Sequence, residues 1–258
     1  MIKLGLNGGS LGDALFLTPA IHALNDKKQE VIVQMYDDSQ CRAISTVFDG
    51  LCPVEFVSNP SKPLYHINQD KTHYTQRVLN ELGLSEYSCI PKISLDQKDI
   101  DWAREYLKDY KNPLAIVADN SGNFDPSNHR AKYVCPRQSL IQQQVYDWTK
   151  EGFTVLYLIS GNRKKFTQLY GSVLIAGLTI RQLAACYHVI GRLISGDTGN
   201  YHIALSVGAI ALVLSPDESI KMGYLYDELH YKPELWKNEP IRCRYINYNT
   251  GELIYKYD

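Results

Sequence analysis

Short apolar runs alternate with amphipathic segments along the whole chain, which predicts parallel strands joined by crossover helices and so the α/β class. The first run, IKLGL at 2–6, reads as a strand. A glycine-rich turn, Asn7-Gly8-Gly9-Ser10-Leu11-Gly12-Asp13, leads from it into a helical pattern through Ala20, Ile21 and Leu24. Thr18 stands before Pro19 and is expected to cap a helix, because proline is tolerated in a first turn where its missing N–H would have had no partner. A second strand is predicted at 31–35, a loop at 59–63 within SNPSKP, and helices at 75–84 and 98–110.

The breaker Asn112-Pro113 follows, and the domain boundary is expected there, between an N-terminal unit 1–112 and a C-terminal unit 113–258. Beyond it the pattern restarts with a strand at 114–118, a polar loop to Pro136, a helix to about 151 and a strand at 154–159. A helix at 179–187, a strand at 189–195, a turn, another helix and a strand at 209–214 complete a second doubly wound unit. The segments 241–246 and 252–257 around Asn249-Thr250-Gly251 read as a C-terminal β-hairpin, since Asn and Gly adopt positive φ at little cost.

Composition narrows the function classes. At 258 residues the chain is long enough for one large domain or two small ones, and 45% hydrophobic with 21% charged residues is a globular balance. A formal charge of −1, from 27 basic and 28 acidic residues, lacks the positive field of a protein that grips nucleic acid through phosphates. No apolar run approaches the roughly 20 residues of a membrane span and the N-terminus does not read as a signal peptide, so a cytoplasmic location is expected. The six cysteines, Cys41, Cys52, Cys89, Cys135, Cys186 and Cys243, form no CxxC pair and no zinc-finger spacing with histidine, which predicts reduced structural thiols and no metal site.

Two glycine turns carry the candidate chemistry. In LISGDTGNYHIA, an apolar strand passes through Asp197-Thr198-Gly199 into a small-residue helix. Such a turn presents unpaired N–H groups and the positive end of a helix, and a diphosphate is the guest that suits it. Simple capping by Asp197 and Thr198 explains the same residues equally well. Neither GxGxxG nor the P-loop signature occurs in the chain. The other turn, at 8–13, follows the first strand at its carboxyl end, where open α/β sheets bind their ligands. Asp13 is there either a cap or a base that stays ionised beside a helix N-terminus.

The stretches GGSLGDALFLTPAIHAL, AKYVCP and ISGDTGNYHIALSVGAIALVLSPD, in that order, resemble glycosyltransferase family 9, the heptosyltransferases that transfer ADP-heptose to lipopolysaccharide core. The resemblance covers 1–26 and about 113–217. It implies a GT-B fold of two facing Rossmann-like domains, here with a reduced first domain, the first binding acceptor and the second binding the nucleotide-sugar donor. It further implies that Asp13 is the catalytic base, that Gly9, Ser10 and Gly12 form the acceptor-side loop, and that Lys132, Asp197, Thr198, Gly199 and His202 bind donor phosphate. The activity implied is metal-independent, inverting transfer of heptose or a hexose-like sugar from a nucleoside-diphosphate donor, an ADP-sugar by resemblance, to a hydroxyl of a saccharide or other acceptor, with no added cofactor.

These roles suit the chemistry. Expelling a nucleoside diphosphate builds negative charge on the leaving phosphate, where fixed donors act more strongly than in the ground state. Attack from the opposite face needs a base near the incoming hydroxyl. Asp99-Ile100-Asp101 spells the DxD metal motif of other glycosyltransferases, but it opens a helical pattern and is assigned to capping. Where the family holds the donor ribose with an acid, this chain reads Ser160-Gly161-Asn162-Arg163-Lys164-Lys165, which leaves the donor's base and sugar open. Two alternatives stand beside the main reading: a nucleic-acid base glycosyltransferase of the same fold, against which the near-neutral charge argues, and an inactive nucleotide-sugar-binding subunit.

Overall fold

The computed structural model describes residues 1–6, 11–60, 74–117, 138–160, 169–196, 198–215, 243–247 and 253–255. By their contacts these fall into two compact units, one reaching Ser94 and one starting at Leu95.

The first unit contains β1 (Ile2–Leu6), α1 (Leu11–Asp26), β2 (Val31–Tyr36), α2 (Ser39–Ile44), β3 (Val54–Val57) and α3 (Tyr74–Glu81). The three strands form a parallel sheet in the order β1-β2-β3, with Leu4 beside Val33 and Val33 beside Val54. Leu4, Leu6, Val31, Val33 and Met35 are buried, the near-continuous apolar runs expected of strands covered on both faces.

α1 corrects one sequence expectation. Thr18 does not start a helix; the helix runs straight through Pro19. A proline inside a helix removes the N–H that would bond the carbonyl four residues earlier, here Leu15. The Thr18 hydroxyl donates to that Leu15 carbonyl at 2.7 Å and itself accepts the Lys92 N–H at 2.8 Å. One residue on, the Phe16 carbonyl accepts the Thr75 hydroxyl of α3 at 3.0 Å. Tertiary partners therefore mend the break that local rules read as a helix start.

The second unit holds α4 (Gln97–Leu107), β4 (Pro113–Val117), α5 (Gln138–Lys150), β5 (Thr154–Ser160), β6 (Val173–Leu178), α6 (Ile180–Ile190), β7 (Arg192–Ser195), α7 (Gly199–Ser206), β8 (Ile210–Ser215), β9 (Cys243–Asn247) and β10 (Leu253–Tyr255). Its sheet runs β6-β5-β4-β7-β8-β9-β10. All neighbours are parallel except β9 and β10, which pair antiparallel with the intervening turn outside the described residues. Counted within the unit, the parallel strands follow the 3-2-1-4-5-6 order of dinucleotide-binding folds. On one face Ile141 and Val145 of α5 pack with Val155, Tyr157, Ile194 and Leu214, and Trp148 joins them. Leu193 and Ser195 alternate with Ile194 and so point to the opposite face.

Two boundaries differ from expectation. Residues 189–190 belong to α6, which Gly191 ends in the left-handed conformation at φ 74°, so β7 begins only at Arg192. α4, read from the sequence as part of 1–112, packs against α6 and lies with the second unit. Asp99 of α4 makes a two-pronged ion pair with Arg181 of α6, Nε to Oδ1 at 3.0 Å and Nη2 to Oδ2. The same aspartate closes a capping box: Asp96 Oδ1 accepts the Asp99 N–H at 3.0 Å, and Asp99 Oδ2 accepts the Asp96 N–H at 2.9 Å. Asp99 thus caps and braces α4, as expected, whereas Asp101 takes no part in the cap and meets Gln97 and Arg104 along the helix instead.

Candidate functional site

The turn after β7 is built by its own side chains. Thr198 has extended backbone angles, φ −139° and ψ 164°, and is the N-cap of α7. Its hydroxyl accepts the Asn200 N–H at 3.3 Å and lies 3.1 Å from the hydroxyl of Ser195 at the end of β7. The Tyr201 N–H turns back to the Thr198 carbonyl at 3.3 Å. The Gly199 N–H, at the first helical position, has no intrahelical acceptor. Thr198 is buried, 4% exposed, so its hydroxyl serves the cap, and what the turn offers a ligand is main-chain N–H and the positive helix end.

α7 is buried nearly all round, from Tyr201 to Ser206, which fixes its start firmly against the sheet. His202 is 6% exposed and its ring lies tilted by 35° against that of Tyr201, 3.9 Å between centroids. Asn200 is half-buried, and its Oδ1 accepts the Tyr187 hydroxyl of α6 at 3.2 Å. Tyr187 is fully buried, which pushes its phenol well above the ordinary tyrosine range, with the neighbouring Cys186 adding to the effect. Sequence reasoning did not single out Tyr187, Asn200 or Ser195.

The position of this turn in the sheet matters most. β7 lies beside β4, with Ile194 against Ile116 and Ser195 against Val117, and this is where the strand order reverses from 3-2-1 to 4-5-6. Crevices at such a reversal, outside the carboxyl ends of the strands, are where open α/β sheets hold ligands. Thr198 and Gly199 stand at that end of β7.

In the first unit, Asp13 occupies the first turn of α1 and Gly12 the position before it, both partly exposed. Gly9, Ser10, Lys132, Asp197, Arg163, Lys164 and Lys165 lie outside the described residues. Among the described residues no cluster of three or more His, Cys, Asp or Glu side chains is arranged to hold a metal. Among them, too, no helix is long and apolar enough to cross a membrane.

No protein-family model and no curated protein matches the sequence. Solved structures match in fold. A family 9 glycosyl transferase from Veillonella parvula aligns with 95% of this chain and 86% of its own length, at a TM-score of 0.64 and 12% identity. The E. coli ADP-heptose lipopolysaccharide heptosyltransferase II covers 95% and 90%, at a TM-score of 0.63 and 10% identity. The chain has the GT-B fold of these glycosyltransferases. The E. coli heptosyltransferase WaaC, solved with ADP, covers 83% and 87% at a TM-score of 0.52 and 11% identity. The sequence motifs and the architecture therefore point to the same fold by separate routes.

Proposed function

We propose that the protein is an inverting glycosyltransferase that moves heptose or a hexose-like sugar from a nucleoside-diphosphate donor to a hydroxyl of a saccharide or related acceptor. The observation that carries this reading is the capped turn at Thr198 standing at the strand-order reversal of the second unit. The heptosyltransferase fold supports it, as do fold neighbours described as an ADP-heptose heptosyltransferase and as a heptosyltransferase with ADP. The ADP-sugar and lipopolysaccharide assignments follow that likeness.

In this reading the Gly199 N–H, the α7 dipole and Lys132 take up charge on the departing diphosphate, with Asp197 and His202 as further phosphate-binding residues. These fixed donors fill the part a divalent cation plays in other glycosyltransferases. Asp13, in the first turn of α1, accepts the proton of the attacking hydroxyl. Displacement on the face opposite the leaving group inverts the anomeric carbon.

The experiment is transfer from a panel of ADP-, GDP- and UDP-sugars to saccharide acceptors, with chelator present and the product's anomeric configuration read by NMR. Expected are an inverted product, activity that survives chelation, and a loss of about 10²-fold or more in kcat for Asp13→Asn with donor affinity little changed. Full activity in Asp13→Asn removes it as the base, and a retained configuration removes the mechanism. Tight donor binding with no transfer to any acceptor would leave a sugar-nucleotide-binding subunit instead.

A further inference from the structure

α6 and α7 share a polar connection inside an otherwise apolar layer. Leu183, Ala184, Ala185 and Cys186 of α6 are all buried, and so is Tyr187, yet the Tyr187 phenol donates to Asn200 in the first turn of α7. From Asn200 the connection continues through its N–H to Thr198 Oγ1 and on to Ser195 Oγ. Ser195 is fully buried as well. Four residues on α6, α7 and β7 thus form one chain of hydrogen bonds that ends at the diphosphate turn.

Nothing in the packing calls for the two buried hydroxyls. Phenylalanine at 187 fills the same apolar volume without a hydroxyl to desolvate, and alanine at 195 does the same on a smaller scale. What they do is hold Asn200 by its side chain, through Tyr187, and hold the Thr198 hydroxyl that accepts the Asn200 N–H, through Ser195. The first turn of α7 is where a helix ordinarily frays, because its N–H groups lack intrahelical acceptors. A turn already fixed meets a ligand without having to be ordered by it.

We propose that Tyr187 and Ser195 are positioning residues for the diphosphate site, setting the orientation of the Gly199 N–H and the α7 start through Asn200 and Thr198 without touching the ligand. The inference rests on the diphosphate reading above. It makes a specific demand: removing either hydroxyl weakens the diphosphate contribution to binding and leaves the nucleoside contribution alone.

The test is calorimetric titration of the full chain with ADP, GDP and UDP and with adenosine, guanosine and uridine, comparing wild type with Tyr187→Phe and Ser195→Ala. For the nucleotide that wild type binds most tightly, each variant should lose about tenfold in diphosphate affinity and less than twofold in nucleoside affinity. Asn200→Ala cuts the same chain from its half-buried side and should show the same loss even if a core variant is hard to purify. Combined with Tyr187→Phe it should lose little more than either change alone. Unchanged diphosphate affinity, a parallel fall for nucleoside and diphosphate, or additive losses in the double variant each overturn the positioning role. A wild type that binds no diphosphate better than its nucleoside instead overturns the diphosphate reading, and the inference with it.

Discussion

The Thr18 hydroxyl lies 2.7 Å from the carbonyl oxygen of Leu15 and donates to it, in the place where the proline at 19 has no N–H to give. The bond is buried, as Thr18 is completely enclosed, and it explains how α1 continues unbroken behind Asp13. Thr18→Val keeps the shape and strands both the Leu15 carbonyl and the Lys92 N–H, so it should cost about 1–3 kcal/mol in chemical denaturation. Adding Pro19→Ala restores an N–H for Leu15 and should recover part of the loss. A Thr18→Val chain as stable as wild type would remove the repair.

Asp99 and Arg181 test the attachment of α4. Their side chains are only 20% and 21% exposed, so losing one partner leaves a poorly solvated charge as well as a broken capping box. Asp99→Ala should destabilise by about 2–3 kcal/mol, more than an exposed pair such as Arg104–Asp101 would. A double-mutant cycle with Arg181→Met should give a coupling of about 1–2 kcal/mol. A coupling near zero would show that the pair is incidental to the packing of α4 on α6.

Gly191 isolates backbone strain from crowding. Its φ of 74° is left-handed, while a Cβ built there meets no atom within 4 Å. Gly191→Ala should therefore cost about 1 kcal/mol from conformation alone. A neutral result would mean that α6 can end without the left-handed residue.

Cys186 gives a pH signature. Burial pushes its thiol up to about 12, against 9.0 for an exposed one. Between these values the unfolded chain releases a proton that the folded chain keeps, so the folded state binds more protons and stability falls as pH rises from 9 toward 12. The slope from this one thiol reaches about 1.4 kcal/mol per pH unit, and Cys186→Ala should remove that share in urea titrations run from pH 8 to 10.5, leaving the share of the partly buried Cys52. Native Cys186 should also resist alkylation at pH 8 while the denatured chain reacts. An unaltered pH dependence in the variant would deny the burial effect.

Much of the architecture can be read from local pattern. β1 lies at 2–6 as the apolar run indicates, and the alternation of strand and helix in the second half is correct in kind. β6 escapes pattern reading because its exposure repeats as two exposed and one buried rather than alternating, opposite an irregularity between Leu158 and Ser160 of β5. Strand order is absent from local signals altogether. So the reversal beside β7 becomes visible only when β4 and β7 are seen paired. The site divides along the same line. The capping role of Thr198 is written in its neighbours, whereas the Tyr187–Asn200 bond joins residues 13 apart on different helices, and no spacing rule predicts it. The Thr18-Pro19 misreading has the same origin, since Lys92 and Thr75 lie far along the chain.

The allegiance of α4 bears on how such proteins can be recombined. A chimera that joins a foreign N-terminal half at Pro113 would remove the aspartate that pairs with Arg181 and strip α6 of the helix that packs on it. Splicing ahead of Asp96 instead carries α4 and its capping box along with the half they belong to.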